Sequence, residues 1–178
     1  TFHPVTLEKQ SAATQFDQLL QALANCPDAF VIFTLPNADT DGRILIDQIH
    51  AYVQKYPDRS AAFTSLGQLR YLSLIPQVDA VIGNSSSGLI DVPTFGVPTI
   101  NIGDRQRGRM AGNSVIHCEA EKASILKAIQ QSHSPKFREL AARAENPYGK
   151  ANASREIVSV LLAIDFNDLL KKHFYDLP

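Results

Sequence analysis

The chain has 178 residues, 44% of them hydrophobic and 20% charged, with a formal net charge of −1 at pH 7. That length suits one domain, 1–178, burying about two thirds of the surface its unfolded chain exposes. The near-neutral balance, without a long basic run, excludes an electrostatic footprint for nucleic acid. No apolar stretch approaches the ~20 residues of a membrane span and no signal peptide is visible, so no membrane partner is expected. Cys26 and Cys118 stand alone, with no C-x-x-C pair and no histidine at metal spacing. Reduced thiols in the cytoplasm account for them, and no metal or cofactor is called for. Asn84 and Asn152 open glycosylation patterns that carry no weight without a secretory signal.

Taken in order, Thr1 to Val5 reads as the tail of a strand, with His3 and Pro4 at its carboxyl end. The chain opens on Thr, inside that strand, and is therefore expected to be a fragment of something longer. Thr6 to Gln10 leads into a helix marked by Phe16, Leu19, Leu20 and Leu23 at helical spacing. Ala29 to Leu35 is almost wholly apolar, as a strand buried on both faces would be. A loop from Pro36 to Asp41 precedes a helix carrying Ile44, Leu45, Ile49 and Val53, which ends near Pro57. Ala61 to Thr64 is a short strand, and Leu66 to Leu74 a helix stopped by Pro76. Ser114 to His117 is the last strand; Ala123 to Ile129 and Phe137 to Ala144 are amphipathic helices. A turn at Asn146, Pro147 and Gly149 precedes a long closing helix, Ser154 to His173. Strands alternate with helices throughout, so the expected fold is a three-layer α/β/α sandwich, Rossmann-like, with a mostly parallel sheet.

The most informative stretch lies between these elements, from Val78 to Arg109. Ala80 to Ile82 is a buried strand; Gly83 and Asn84 break it, and Ser85, Ser86, Ser87 and Gly88 form a polar turn of small residues. Leu89, Ile90 and Val92 begin a short helix that Pro93, Gly96 and Pro98 end, and Thr99 to Ile102 is the next strand. A turn after the carboxyl end of a parallel strand is where α/β folds place ligands. Unpaired N–H groups and the positive end of a helix there favour an anion, commonly phosphate. The serines add hydroxyl donors, so that Asn84 to Gly88 is expected to form a collar of amides and hydroxyls around the anion; the alternative is an ordinary serine N-cap, for which one would suffice. The stretch is no Walker loop, having no G-K-[ST], and no dinucleotide fingerprint, having no G-x-G-x-x-G. It also lacks the G-x-S-x-G nucleophile elbow. The spacing of Asn37, Asp39, Asp41 and Gly42 imitates half of a calcium loop. Gln48, however, stands where a bidentate Glu is required, and a strand precedes the loop where a helix should.

The run GNSSSGLIDVPTFGVPTINIGDRQRGR, from Gly83 to Arg109, resembles the signature of the UDP-N-acetylglucosamine 2-epimerases. The likeness is greatest to the hydrolysing branch used in making sialic-acid-type sugars. TFHPVT at the start, LPNAD in the middle and ENPYGKANAS near the end match in the same order, so the likeness spans nearly the whole chain. It implies the C-terminal, nucleotide-holding lobe of a two-lobed fold similar to the GT-B glycosyltransferases, with the N-terminal lobe absent and the full-length enzyme a homo-oligomer.

Residue by residue, the resemblance makes His3 the histidine beside sugar and diphosphate, in a catalytic role. An imidazole there donates to the leaving phosphate. Asn37 becomes a nucleotide-side contact, and the turn at Ser65 and Leu66 reads the uracil edge with its backbone. Ser85, Ser86 and Ser87 hold the diphosphate, and Arg105 supplies the planar fork that suits phosphate oxygens. Asp91 falls where the family normally has Glu, the carboxylate that accepts from the ribose hydroxyls, so its reach is one methylene shorter. Arg107 and Arg109 are left as either phosphate contacts or a solvated basic loop. The implied reaction is elimination of UDP from UDP-N-acetylglucosamine, then hydration to N-acetylmannosamine, with the proton-moving carboxylates on the absent lobe. A non-hydrolysing epimerase, a GT-B glycosyltransferase lobe and a non-catalytic nucleotide-binding module remain as alternatives.

Overall fold

Five short strands carry the fold among the residues that the computed structural model describes: 1–5, 12–36, 40–149 and 152–166. They are β1 Val31–Thr34, β2 Ser60–Phe63, β3 Val81–Gly83, β4 Thr99–Ile102 and β5 Val115–Cys118. All pair in parallel: β1 with β2, Val31 opposite Ser60, and β3 with β4 and β4 with β5, Val81 opposite Thr99 and Thr99 opposite Val115. Residues 1–3 bridge the two ladders. The main-chain nitrogen of Thr1 donates to the Ile82 carbonyl at 3.1 Å, and the Asn84 N–H donates to the Thr1 carbonyl at 3.3 Å. On the other side the hydroxyls of Thr1 and Thr34 bond to each other. The two ladders are separate sheets, β2-β1 and β3-β4-β5, and the amino-terminal segment lies between β1 and β3. Thr1 to Val5, expected as the tail of a strand, is not one, because it meets β3 through the main chain but β1 only through a side chain. The chain winds outward on one side and then on the other, which puts the topological switch point between residues 1–3 and β3.

Side-chain alternation on β3 shows that both faces are covered. Ile82 packs into the larger core with Phe16, Leu19, Leu45, Ile100, Ile102 and Ile125. Its neighbour Val81 packs into a smaller cluster with Ile75, Val92 and Val97. Successive residues of a strand point to opposite faces, so the clusters lie on opposite sides of the sheet. The larger one is covered by α1 Ala12–Ala24, α2 Thr40–Lys55 and α5 Lys122–His133, the last continuing into α6 Pro135–Ala142. The smaller one is covered by α3 Gly67–Leu74, α4 Ser87–Ile90 and the 3₁₀ turns Ile75–Gln77 and Val92–Phe95. The three-layer α/β/α class expected from the sequence is thus what is found. Phe2 anchors the amino-terminal segment, buried with its ring 5.4 Å from that of Phe16.

Three further expectations are corrected. The helix after β1 begins at Thr40, inside the segment read as a loop, because its apolar marker Ile44 sits a turn in and is itself 49% exposed. The helix after the serine turn is a single turn, Ser87–Ile90, and Val92–Phe95 is 3₁₀, because Pro93 has no N–H for an α-helical ladder. The closing helix, α7 Ala153–Ala163, ends where Ile164 is extended; the remainder of the expected helix, 167–173, lies outside the described residues, as does the expected helix start at 6–10. The chain falls into two compact units, Thr1–Tyr148 and Gly149–Pro178, and α7 belongs to the second, with Ile157, Val160 and Leu162 exposed. Asn37 and Asp39 lie outside the described residues. Among the described residues no helix is long and apolar enough to cross a membrane.

Candidate functional site

The serine turn follows Gly83 directly at the carboxyl edge, beside the switch point. Its donors divide into engaged and free. The Gly88 N–H goes to the Ser85 carbonyl at 3.2 Å, and the Ser87 N–H goes weakly to the Ser85 hydroxyl at 3.4 Å. Ser87 Oγ lies 2.7 Å from the Tyr71 hydroxyl and donates to Ser85 Oγ at 3.2 Å. The N–H groups of Ser85 and Ser86, and the Ser86 hydroxyl, have no acceptor among the described residues. The N-cap Ser86 is itself helical in backbone and its side chain caps nothing, and only Ser85 reaches a helical N–H, weakly, so ordinary capping accounts for one serine and not for three. The expected helix dipole is corrected too: one turn sums few peptide dipoles, and anion attraction falls to the individual N–H groups.

Asn84, at the head of the turn, is fully committed within the protein. Its buried side chain accepts from the His3 N–H at 2.7 Å and donates to the His3 carbonyl at 2.8 Å. Its own carbonyl accepts from Arg105 at 3.0 Å and from Gln106 at 2.8 Å. The sequence pointed to Asn84 as part of the donor collar; instead it is the post to which His3 and the arginine loop are tied. Arg105 lays one guanidinium nitrogen on the turn and keeps its other donors. Arg107 pairs with Asp104 at 2.9 Å on the surface, and Arg109 is exposed. Gln106 was not legible as a site residue. It is a buried glutamine between two exposed arginines, and nothing in the pattern RQRGR marks it.

A cleft of about 310 Å³ gathers several of the turns read separately in the sequence. Thr1, Thr34, Ser65, Leu66, Tyr71 and Ser87 line it. Ser65 caps its own turn, its hydroxyl accepting from the Gly67 N–H at 3.1 Å. A larger cleft of about 570 Å³ between α1 and the start of α5 carries none of the site residues named from the sequence. Asp91, half-buried after α4, makes no hydrogen bond through its carboxylate among the described residues, and burial pushes its pKa up. Folded Asp91 therefore holds its proton to higher pH than the unfolded chain does. Stability falls as pH rises from about 3.9 through the folded value and stays lowered at pH 7. Asp91→Asn removes that cost, and the ligand-free variant is expected to melt slightly above the parent at pH 7 and level with it near pH 3, by calorimetric scans. Burial also pushes the Cys118 thiol up to about 11, with Glu119 adding, so it is an unreactive thiol rather than a nucleophile.

A three-layer parallel α/β fold with a donor-lined turn at its switch point is the arrangement in which α/β folds hold anionic ligands. The sequence model of the UDP-N-acetylglucosamine 2-epimerase family matches residues 1–162, and the chain belongs to that family. It is 40% identical to the polysialic acid biosynthesis protein P7 of Escherichia coli, over 99% of this chain and 45% of that protein. It is 34% identical to the hydrolysing GDP/UDP-N,N′-diacetylbacillosamine 2-epimerase of Campylobacter jejuni, over 99% of this chain and 46% of that protein. Its fold matches a Neisseria meningitidis UDP-GlcNAc 2-epimerase solved with UDP-GlcNAc bound, TM-score 0.65 at 20% identity, over 86% of this chain and 42% of that one. The chain spans somewhat under half the length of these relatives.

Proposed function

We propose that residues 1–178 act as one nucleotide-binding lobe of a hydrolysing UDP-N-acetylglucosamine 2-epimerase, with UDP or the UDP-sugar as ligand. The observation that carries this is the pair of free N–H groups at Ser85 and Ser86 beside the Ser86 hydroxyl, with Arg105 laid against the same turn. These are neutral and cationic donors converging where a diphosphate's charge would sit. Ser65 and Leu66 offer backbone groups to the uracil across the cleft, and Asp91 accepts from the ribose. His3, held by Asn84, stands by the leaving phosphate. Asn37 is assigned to the nucleotide from the family motif alone.

In the whole enzyme, UDP leaves by elimination across C1 and C2, and water adds to the glycal with C2 inverted. Donors at the diphosphate stabilise the charge that develops on UDP, which is where this lobe contributes to the rate. The base at C2 and the acid for hydration come from a second lobe, so this chain alone binds UDP without turning over substrate. A cytoplasmic setting, consistent with free Cys26 and Cys118, and a homo-oligomer of the full-length enzyme complete the proposal.

Calorimetric titration with UDP tests the site. Ser86→Ala and Arg105→Ala each remove a donor to a charged ligand, worth about 1.5–3 kcal/mol, so each is expected to weaken binding about tenfold or more. Unchanged affinity in both variants removes the site. In the two-lobed enzyme, release of free N-acetylmannosamine with UDP supports the hydrolysing reading, and release of UDP-N-acetylmannosamine overturns it.

A further inference from the structure

Tyr71 was named by no sequence argument, yet its hydroxyl lies 2.7 Å from Ser87 Oγ and its ring lines the candidate cleft. The three hydroxyls there form a chain with one sense. Ser87 Oγ donates to Ser85 Oγ at 3.2 Å, which uses the single proton of Ser87. The Tyr71–Ser87 bond must then run from the phenol to the serine. Ser85 Oγ receives the Ser87 hydroxyl and, weakly, the Ser87 N–H, and its own proton has no acceptor among the described residues.

We propose that Tyr71 is a positioning residue for the diphosphate: through Ser87 it fills the acceptor side of Ser85 and leaves the Ser85 proton pointing to the anion. This rests on the nucleotide reading of the site and adds to it how one donor is polarised and oriented. Hydroxyls in series strengthen one another, so the terminal donor gains most from the head of the chain. Burial pushes the pKa of the Tyr71 hydroxyl up and the charge of Asp91 adds to the shift, so the phenol stays a protonated donor. The same helix, α3, follows directly on the Ser65–Leu66 turn, which joins the base side of the cleft to the phosphate side through a single residue.

The test is a set of cycles read by calorimetry with UDP on the 178-residue chain. Tyr71→Phe keeps the ring packed against Ile75 and Val92 and removes only the hydroxyl, and it is expected to weaken UDP about fivefold. In a Ser85→Ala background the same substitution is expected to cost less than about twofold, since the terminal donor is gone. Ser87→Ala breaks the chain from its middle, and adding Tyr71→Phe to it is expected to change nothing further. Effects of Tyr71→Phe that persist in full in both backgrounds overturn the relay and make the tyrosine a packing residue. The Ser86→Ala and Arg105→Ala titrations separate this failure from that of the site: if they lose UDP while the cycles are additive, the site stands and the relay falls.

Discussion

Gly83→Ala is expected to cost about 3–5 kcal/mol in urea denaturation and to abolish measurable UDP binding, the largest single effect anticipated in this chain. Gly83 has φ of 144°, a region L side chains rarely adopt, and a Cβ built there would fall 1.8 Å from the Thr1 carbonyl oxygen. The obstacle is backbone, so nothing rotates out of the way. The amino-terminal segment must lift off β3, breaking the Asn84–Thr1 and Thr1–Ile82 bonds and withdrawing Phe2 from the core. Gly67→Ala is the control. It also has positive φ, 65°, but nothing lies within 4 Å of its would-be Cβ, so only the backbone cost of about 1–2 kcal/mol applies. Equal costs for the two substitutions would mean that the close approach at the switch point does not constrain the fold.

That close approach also marks the limit of what the sequence made legible. The order of elements was readable because each is announced locally: Thr99 to Ile102 as an apolar run closed by Gly103, α1 by Phe16, Leu19 and Leu23 on one face. The serine turn was readable because small polar residues between a strand and a helix have few other uses at the edge of a parallel sheet. What escaped depends on partners far along the chain. Asn84 looked like one more donor in the turn, yet its side chain is bound to a backbone 81 residues away. Gln106 and Tyr71 reach the turn from residues 22 and 16 positions distant, and no local pattern encodes either meeting. The length of α4 was misjudged for a local reason instead: Leu89 and Ile90 have helical spacing, but Pro93 sits too close behind them to let an α-helix grow.

Asn84→Ala is expected to cost about 2–4 kcal/mol, because it strands the N–H and the carbonyl of His3 together. Half-exposure of His3 lets water recover part of the loss, which keeps the figure below that for two fully buried groups. Asn84→Asp separates the clamp from simple packing. An ionised aspartate still accepts from the His3 N–H but turns a second negative oxygen on the His3 carbonyl. A protonated one donates there and restores the pair. Burial at 1% exposure raises the folded pKa of such a carboxyl above its unfolded value of about 3.9. The folded variant then binds its proton more tightly than the unfolded chain, so its stability relative to the parent is best below that value and declines as pH rises through the folded pKa. Denaturation at pH 4 is expected to bring Asn84→Asp near the parent, and at pH 7 near Asn84→Ala, with UDP affinity falling over the same interval as His3 loses its anchor. A variant that matches the parent at both values would show that Asn84 fills space at the switch point without holding the histidine to it.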